Sequence, residues 1–263
     1  MKLSVRESGF REPVADHPLV DWSLPRIKEL GYDGVELCVT PTRSGRPRAG
    51  GRGVWYAEYD AEGRKRMRDK AQQVGLEIPT MSSDWAWGYA DFNPDLSQWD
   101  RGVEILAEDA ALARDVGARV ILIHFGTSTG TWDQAKRLLG RAAEHGARNG
   151  VIFGVEGSIW FRVGLGEQET LCRMVDEIGS PNLQIYVHPQ NGTERQVKDI
   201  LEVGKRICAL HSSAFNPEVD YGKVFEALKK VGYDWYWCME VGGDLIPESV
   251  GKWRELAGQH GAL

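Results

Sequence analysis

No apolar run in this 263-residue chain approaches the roughly 20 residues that a membrane-spanning helix needs. The first residues, MKLSVRESGFREPV, lack the long apolar core of a signal peptide. Basic side chains are too few for a phosphate-binding face: 32 Lys and Arg stand against 38 Asp and Glu, a net charge of -6, which argues against nucleic acid as a partner. Cysteine is sparse and scattered (Cys38, Cys172, Cys208, Cys238), with no CxxC pair. That fits reduced thiols in the cytoplasm better than a disulfide framework. No linker, charge block or low-complexity segment divides residues 1–263, so one domain is expected. No GxGxxG follows the first apolar stretch, which weighs against a doubly wound dinucleotide fold.

What is there is a repeat. ELGYDGVEL, QVGLEIPT, DVGARVILIHFG, RNGVIFGVEG, EIGSPNLQIYVHP, EVGKRICALHSS and KVGYDWYWCMEVGG each read as a helix end, a glycine and a strand. Glycine stops helices because it takes the left-handed conformation without steric cost. The runs after it are short and apolar, as buried parallel strands are. The intervening stretches carry helical spacing, as in Val103, Leu106, Ala110 and Ala113. Eight strands are predicted: LSVRESGF, GVELCVT, LEIPTMSS, RVILIHFG, VIFGVEGS, LQIYVHP, ICALHSS and YWCMEVGG. About eight βα units in this length predict an α/β fold, a (β/α)8 TIM barrel. The longest irregular stretch, residues 41–59, reads as an insertion after the second strand.

A parallel barrel builds its active site at the C-terminal strand ends. The last four predicted strands end on Glu156, His188, His211 and Glu240. A lone histidine there is ordinarily a hydrogen-bonded structural residue, and a lone glutamate is solvated or paired. Four together on one rim would repel or desolvate one another without a cation, which a divalent metal supplies. The preceding inward positions are Gly154, Tyr186, Ala209 and Cys238, three of them small, which is expected to leave room above the core. His124, ending the fourth strand, is a candidate substrate contact or support for the ligands, with a structural hydrogen bond as the alternative. Glu36 and Glu7 are expected either to point into the mouth or to pair with an arginine.

The ligand spacing, GYDGVEL after the first helix, LARDVGARVILIHFG, and the GY before the last glutamate together resemble the sugar phosphate isomerase/epimerase family of xylose isomerase-like TIM barrels. The resemblance spans nearly the whole chain. It implies a divalent metal, often manganese, cobalt or magnesium, held by Glu, Asp, His and Glu from the last four strands. Glu156, His211 and Glu240 match that set. His188, in YVHPQN, stands where the family has its aspartate, while Asn191 keeps a polar position three residues on. The acidic residue that follows the family's histidine is missing from HSSAFN. A DNA-repair branch uses a larger His/Asp/Glu cluster for three zinc ions, which this sequence lacks.

The expected chemistry is proton transfer on a keto-sugar or related polyol, through an enediolate, with Glu156 and Glu240 as the proton carriers. The alternative is a lyase or dehydratase acting on a keto-polyol or 3-keto-glycoside with the same metal. A non-catalytic barrel is disfavoured by the two intact glutamates. Replacing a carboxylate by His188 favours manganese, cobalt, iron or zinc over magnesium, and manganese is the first expectation. The rim loops carry aromatic and polar groups suited to a small carbohydrate: Trp85, Trp87, Tyr89 and Phe92, then Trp160, Phe161 and Arg162. The same aromatics equally suit lid packing or a homo-oligomer interface. Arg43, Arg46, Arg48 and Arg52 are candidates for a phosphate, or a solvated loop.

Overall fold

In a computed structural model of the chain, a ring of parallel strands surrounds a polar centre. The structure describes residues 1–7, 19–40, 54–55, 60–83, 97–124, 131–157, 167–189 and 192–261. The strands are β1 (Lys2–Arg6), β2 (Gly34–Thr40), β3 (Val54–Trp55), β4 (Glu77–Ser83), β5 (Val120–His124), β6 (Ile152–Glu156), β7 (Leu183–Val187), β8 (Ile207–Ser212) and β9 (Tyr236–Met239). The helices between and after them are α1 (Leu19–Leu30), α2 (Ala61–Val74), α3 (Ser97–Val116), α4 (Trp132–Asn149), α5 (Glu167–Ile178), α6 (Thr193–Val203), α7 (Tyr221–Val231) and α8 (Leu245–Gln259). The sheet runs β1-β9-β8-β7-β6-β5-β4-β2, and β1 pairs back onto β2, which closes eight strands into the expected (β/α)8 barrel.

The seven glycines that mark the repeat, Gly31, Gly75, Gly117, Gly150, Gly179, Gly204 and Gly232, all have positive φ. Each lets the chain reverse from helix to strand where a side chain would be strained. The insertion differs from expectation in one respect. Within residues 41–59, β3 pairs with the last two residues of β2, Val39 with Val54 and Thr40 with Trp55. A two-residue strand carries too little alternation to be seen in a sequence. Pro79 lies inside β4, where it cannot donate to the ladder. The β2–β4 register shifts between Gly34 and Glu36 opposite it, an irregularity of the kind that accommodates proline.

Most of the core lies between strands and helices. Trp237 on β9 is fully buried there with Phe215, Tyr221, Phe225 and Trp253, ring centroids 5.6–6.3 Å from its own. Truncating such a ring to alanine costs about 3–5 kcal/mol, so part of the chain's tryptophan content serves packing. A smaller apolar cluster of Val120, Leu122, Tyr186, Cys208 and Ala209 fills the inside of the ring. Gly154 does not itself leave open space within the ring. A Cβ on Gly154 would meet Cys208 Sγ at 2.7 Å and Tyr186 Cβ at 3.1 Å, so the neighbours' side chains already occupy that volume.

Candidate metal centre

The barrel brings together all four strand-end residues. β6 finishes on Glu156, β8 carries His211 one residue before its end, and His188 and Glu240 each follow the last residue of their strand. Glu156 is the hub. Its Oε1 lies 3.0 Å from His188 Nδ1 and 3.1 Å from His211 Nδ1, and its Oε2 lies 2.8 Å from His124 Nε2. Glu240 Oε2 is 3.9 Å from His188 Nδ1. The ligand atoms of Glu156, His188 and His211 all lie within 4.8 Å of one another. Ligands bonded at about 2.1 Å to one six-coordinate ion sit about 3 Å apart when adjacent. The Glu156–His188 and Glu156–His211 separations match that edge, so this donor set fits a divalent ion.

A second layer lies beneath. His211 is fully buried, and its other nitrogen, Nε2, sits 2.9 Å from Glu36 Oε1. Glu36, also fully buried, accepts hydrogen bonds from Thr80 and Tyr186, each at 2.9 Å. Glu36 was expected at the mouth or paired with an arginine. It lies a layer below the mouth, where it orients an imidazole and also pairs with an arginine as the second expectation had it, Arg6 Nε lying 3.7 Å from its Oε1. A carboxylate on the far nitrogen of a metal-binding histidine fixes its tautomer and ring orientation. Glu7, considered alongside it, accepts from Ser23 at 3.1 Å.

Arg6, absent from the sequence reading, ties the two layers together. One guanidinium nitrogen donates to Glu240 Oε1, another to Ser82 Oγ at 3.1 Å, and Nε lies 3.2 Å from Cys38 Sγ. The signal was available in β1. Leu3 and Val5 alternate with Ser4 and Arg6, and the second pair faces inward.

The charges are strongly coupled. Burial would raise the Glu156 pKa, but the His211 charge and hydrogen bonds from His124, His188 and His211 hold it well below the ordinary carboxylate range. Burial likewise opposes ionisation of Glu36, yet His211 and Arg6 pull its pKa below normal. Burial would lower the His211 pKa, but Glu36 and Glu156 on its two nitrogens raise it well above the usual value. An imidazole with a carboxylate at each nitrogen is fully satisfied only as the imidazolium. A cation taking its Nδ1 would displace that proton and inherit its carboxylate partner.

Above the cluster opens a cavity of about 450 Å3, lined among others by His124, Glu156, His188 and Glu240. That is within the range of small-molecule sites. His124 thus combines a contact to Glu156 with a place in the cavity wall. Trp85, Trp87, Trp160, Arg162 and Asn191 lie outside the described residues, as do Tyr89, Phe92, Phe161 and Arg43, Arg46, Arg48 and Arg52. All four cysteines are buried and unbridged, and no helix among the described residues is long and apolar enough to cross a membrane.

Residues 24–258 match the family model described as xylose isomerase-like TIM barrel. No curated protein matches the chain by sequence. Among solved structures, a xylose isomerase domain protein from Planctomyces limnophilus aligns over 100% of this chain and 98% of its own, with TM-score 0.74 and 14% identity. A D-tagatose 3-epimerase-like protein aligns over 99% and 98%, with TM-score 0.72 and 19% identity. The 3-keto-D-glucoside 4-epimerase of E. coli aligns over 100% of both chains, with TM-score 0.67 and 13% identity. At these identities the structural likeness speaks for the fold.

Proposed function

Because this chain belongs to the xylose isomerase-like TIM-barrel family, we propose that it is a divalent-metal-dependent isomerase or epimerase of a keto-sugar or related polyol. The observation that carries the reading is the rim itself. Glu156, His188 and Glu240 line a cavity sized for a small molecule, with His211 buried against Glu156. Glu156, His188, His211 and Glu240 would hold the ion, with manganese the first candidate. When bound, the ion would act as a Lewis acid and acidify the C–H next to a carbonyl.

The two carboxylates are not equivalent. Glu156 is buried under three imidazoles, which suits holding geometry. Glu240 has a side chain 37% exposed and lines the cavity, so it is placed to take up and return a substrate proton. Arg6 fixes one oxygen of Glu240 and leaves Oε2 turned toward the His188 side. His124, which lines the cavity beside Glu156, is not one of the four ligand residues. That imidazole supports the second reading, a lyase or dehydratase, because a departing hydroxyl needs an acid beside it.

Metal-loaded protein incubated with ketoses in D2O decides between them. Deuterium in an unchanged or epimerised sugar supports the isomerase, and loss of water or aglycone supports the lyase. Neither exchange nor elimination with any keto-sugar would overturn both.

A further inference from the structure

The inward face of α5 is Gln168, Leu171, Cys172 and Val175, and that of α6 is Gln196, Asp199, Ile200 and Val203. At three- and four-residue spacing these positions call for apolar side chains. Both helices instead begin the face with glutamine. Gln168 and Gln196 are each only 6% exposed, and each leaves its Oε1 buried without a hydrogen-bond partner. Thr170 and Asp199 are also buried and polar; Arg195 donates to Asp199 Oδ2 at 3.0 Å, and neither residue lines the cavity described above. A buried amide oxygen without a partner is destabilising. Both glutamines line the cavity that opens over Glu156 and His188. The cavity lining also carries uncharged polar groups, Ser212, Ser213 and Asn216, beside the aromatic rings of Tyr186, Tyr221 and Trp237. Among the described lining residues the only acidic groups are Glu156 and Glu240, and none is lysine or arginine.

We propose that Gln168 and Gln196 form a subsite of this cavity that recognises the hydroxyl groups of a neutral, unphosphorylated keto-sugar. The inference rests on the keto-sugar reading above and names its substrate class. An amide carries both a donor and an acceptor, so each glutamine can match a hydroxyl in either role. The two amides carry no positive charge to offset a phosphate dianion.

The test uses manganese-loaded protein and five probes: D-fructose, D-tagatose, D-psicose, a methyl 3-keto-glucoside and D-fructose 6-phosphate. Binding is read by calorimetry and proton exchange by NMR in D2O, for the wild type, Gln168→Met and Gln196→Met. Methionine keeps the volume and removes the polar atoms, so the melting temperature is expected to stay level or rise. At least one neutral probe should bind the wild type more tightly than the phosphate ester, and each methionine variant should bind it about 10-fold more weakly. Gln168→Leu and Gln196→Leu give the same reading if a methionine variant does not fold. Variants that bind like the wild type, preference for the phosphate ester, or no binding of any probe would overturn the subsite. Glutamine-dependent binding without exchange would leave the subsite standing and overturn the catalytic reading. Exchange indifferent to the glutamines would do the reverse.

Discussion

At the scale of single residues, the polar centre is a set of charges that satisfy one another without solvent. If His188 is a ligand, His188→Ala should weaken manganese affinity at least 10-fold in competition with a chromophoric chelator, and unchanged affinity would remove it from the ligand set. Glu36 never reaches the cavity, yet Glu36→Gln should weaken metal binding about 10–100-fold, the usual cost of losing the group that orients a ligating histidine. The histidine also predicts proton traffic. The His211 pKa is raised, mainly by Glu36 and Glu156 against burial, so metal binding must expel a proton, and affinity should fall as pH falls. Calorimetry in two buffers of different ionisation heat would detect that proton, and equal heats would contradict it. For chelator-treated protein, the raised His211 pKa gives stability that is full below about 6.5 and lost as pH rises through the folded value. The lowered Glu156 and Glu36 give stability that is full above about 4.5 and lost as pH falls through theirs. These groups therefore favour the metal-free fold most between about pH 4.5 and 6.5.

At the scale of elements, close packing across the inside of the barrel gives a direct test. Gly154→Ala pushes a methyl to within 2.7 Å of Cys208 Sγ and should cost about 1–3 kcal/mol in denaturant unfolding. Adding Cys208→Ala should recover much of that loss. No recovery would mean that another contact sets the cost. The elements are also where the sequence was most legible. Helix stop, glycine and strand are written within a dozen residues each, so all eight βα units and the four rim residues could be read from local pattern. Arg6 was harder because its significance depends on Glu240, 234 positions away. The role of Glu36 was hidden for a similar reason. A strand's alternation says that Glu36 faces inward but not which layer it occupies. Gln168 and Gln196 carry no signal in the sequence, because glutamine is an ordinary helix former and only burial sets these two apart.

At the scale of the whole molecule, one ion would join side chains from four strands of the ring. Manganese at a hundredfold excess over its Kd should then stabilise the fold by about 2.7 kcal/mol. That corresponds to a rise in Tm of roughly 5 °C or more, reversed by chelator. A melting curve indifferent to metal would show that the ring does not depend on an ion to hold its rim.

The barrel closes where β1 meets β9, and this orders events during synthesis of the chain. Arg6 leaves the ribosome 234 residues ahead of Glu240. Until the final strand emerges, the guanidinium has no Glu240 partner, and β1 and β8 both lack the strand that fits between them. A nascent chain stalled before residue 236 therefore presents two unpaired edges to chaperones and proteases, and the rim cannot assemble its full ligand set until β9 and Glu240 have emerged.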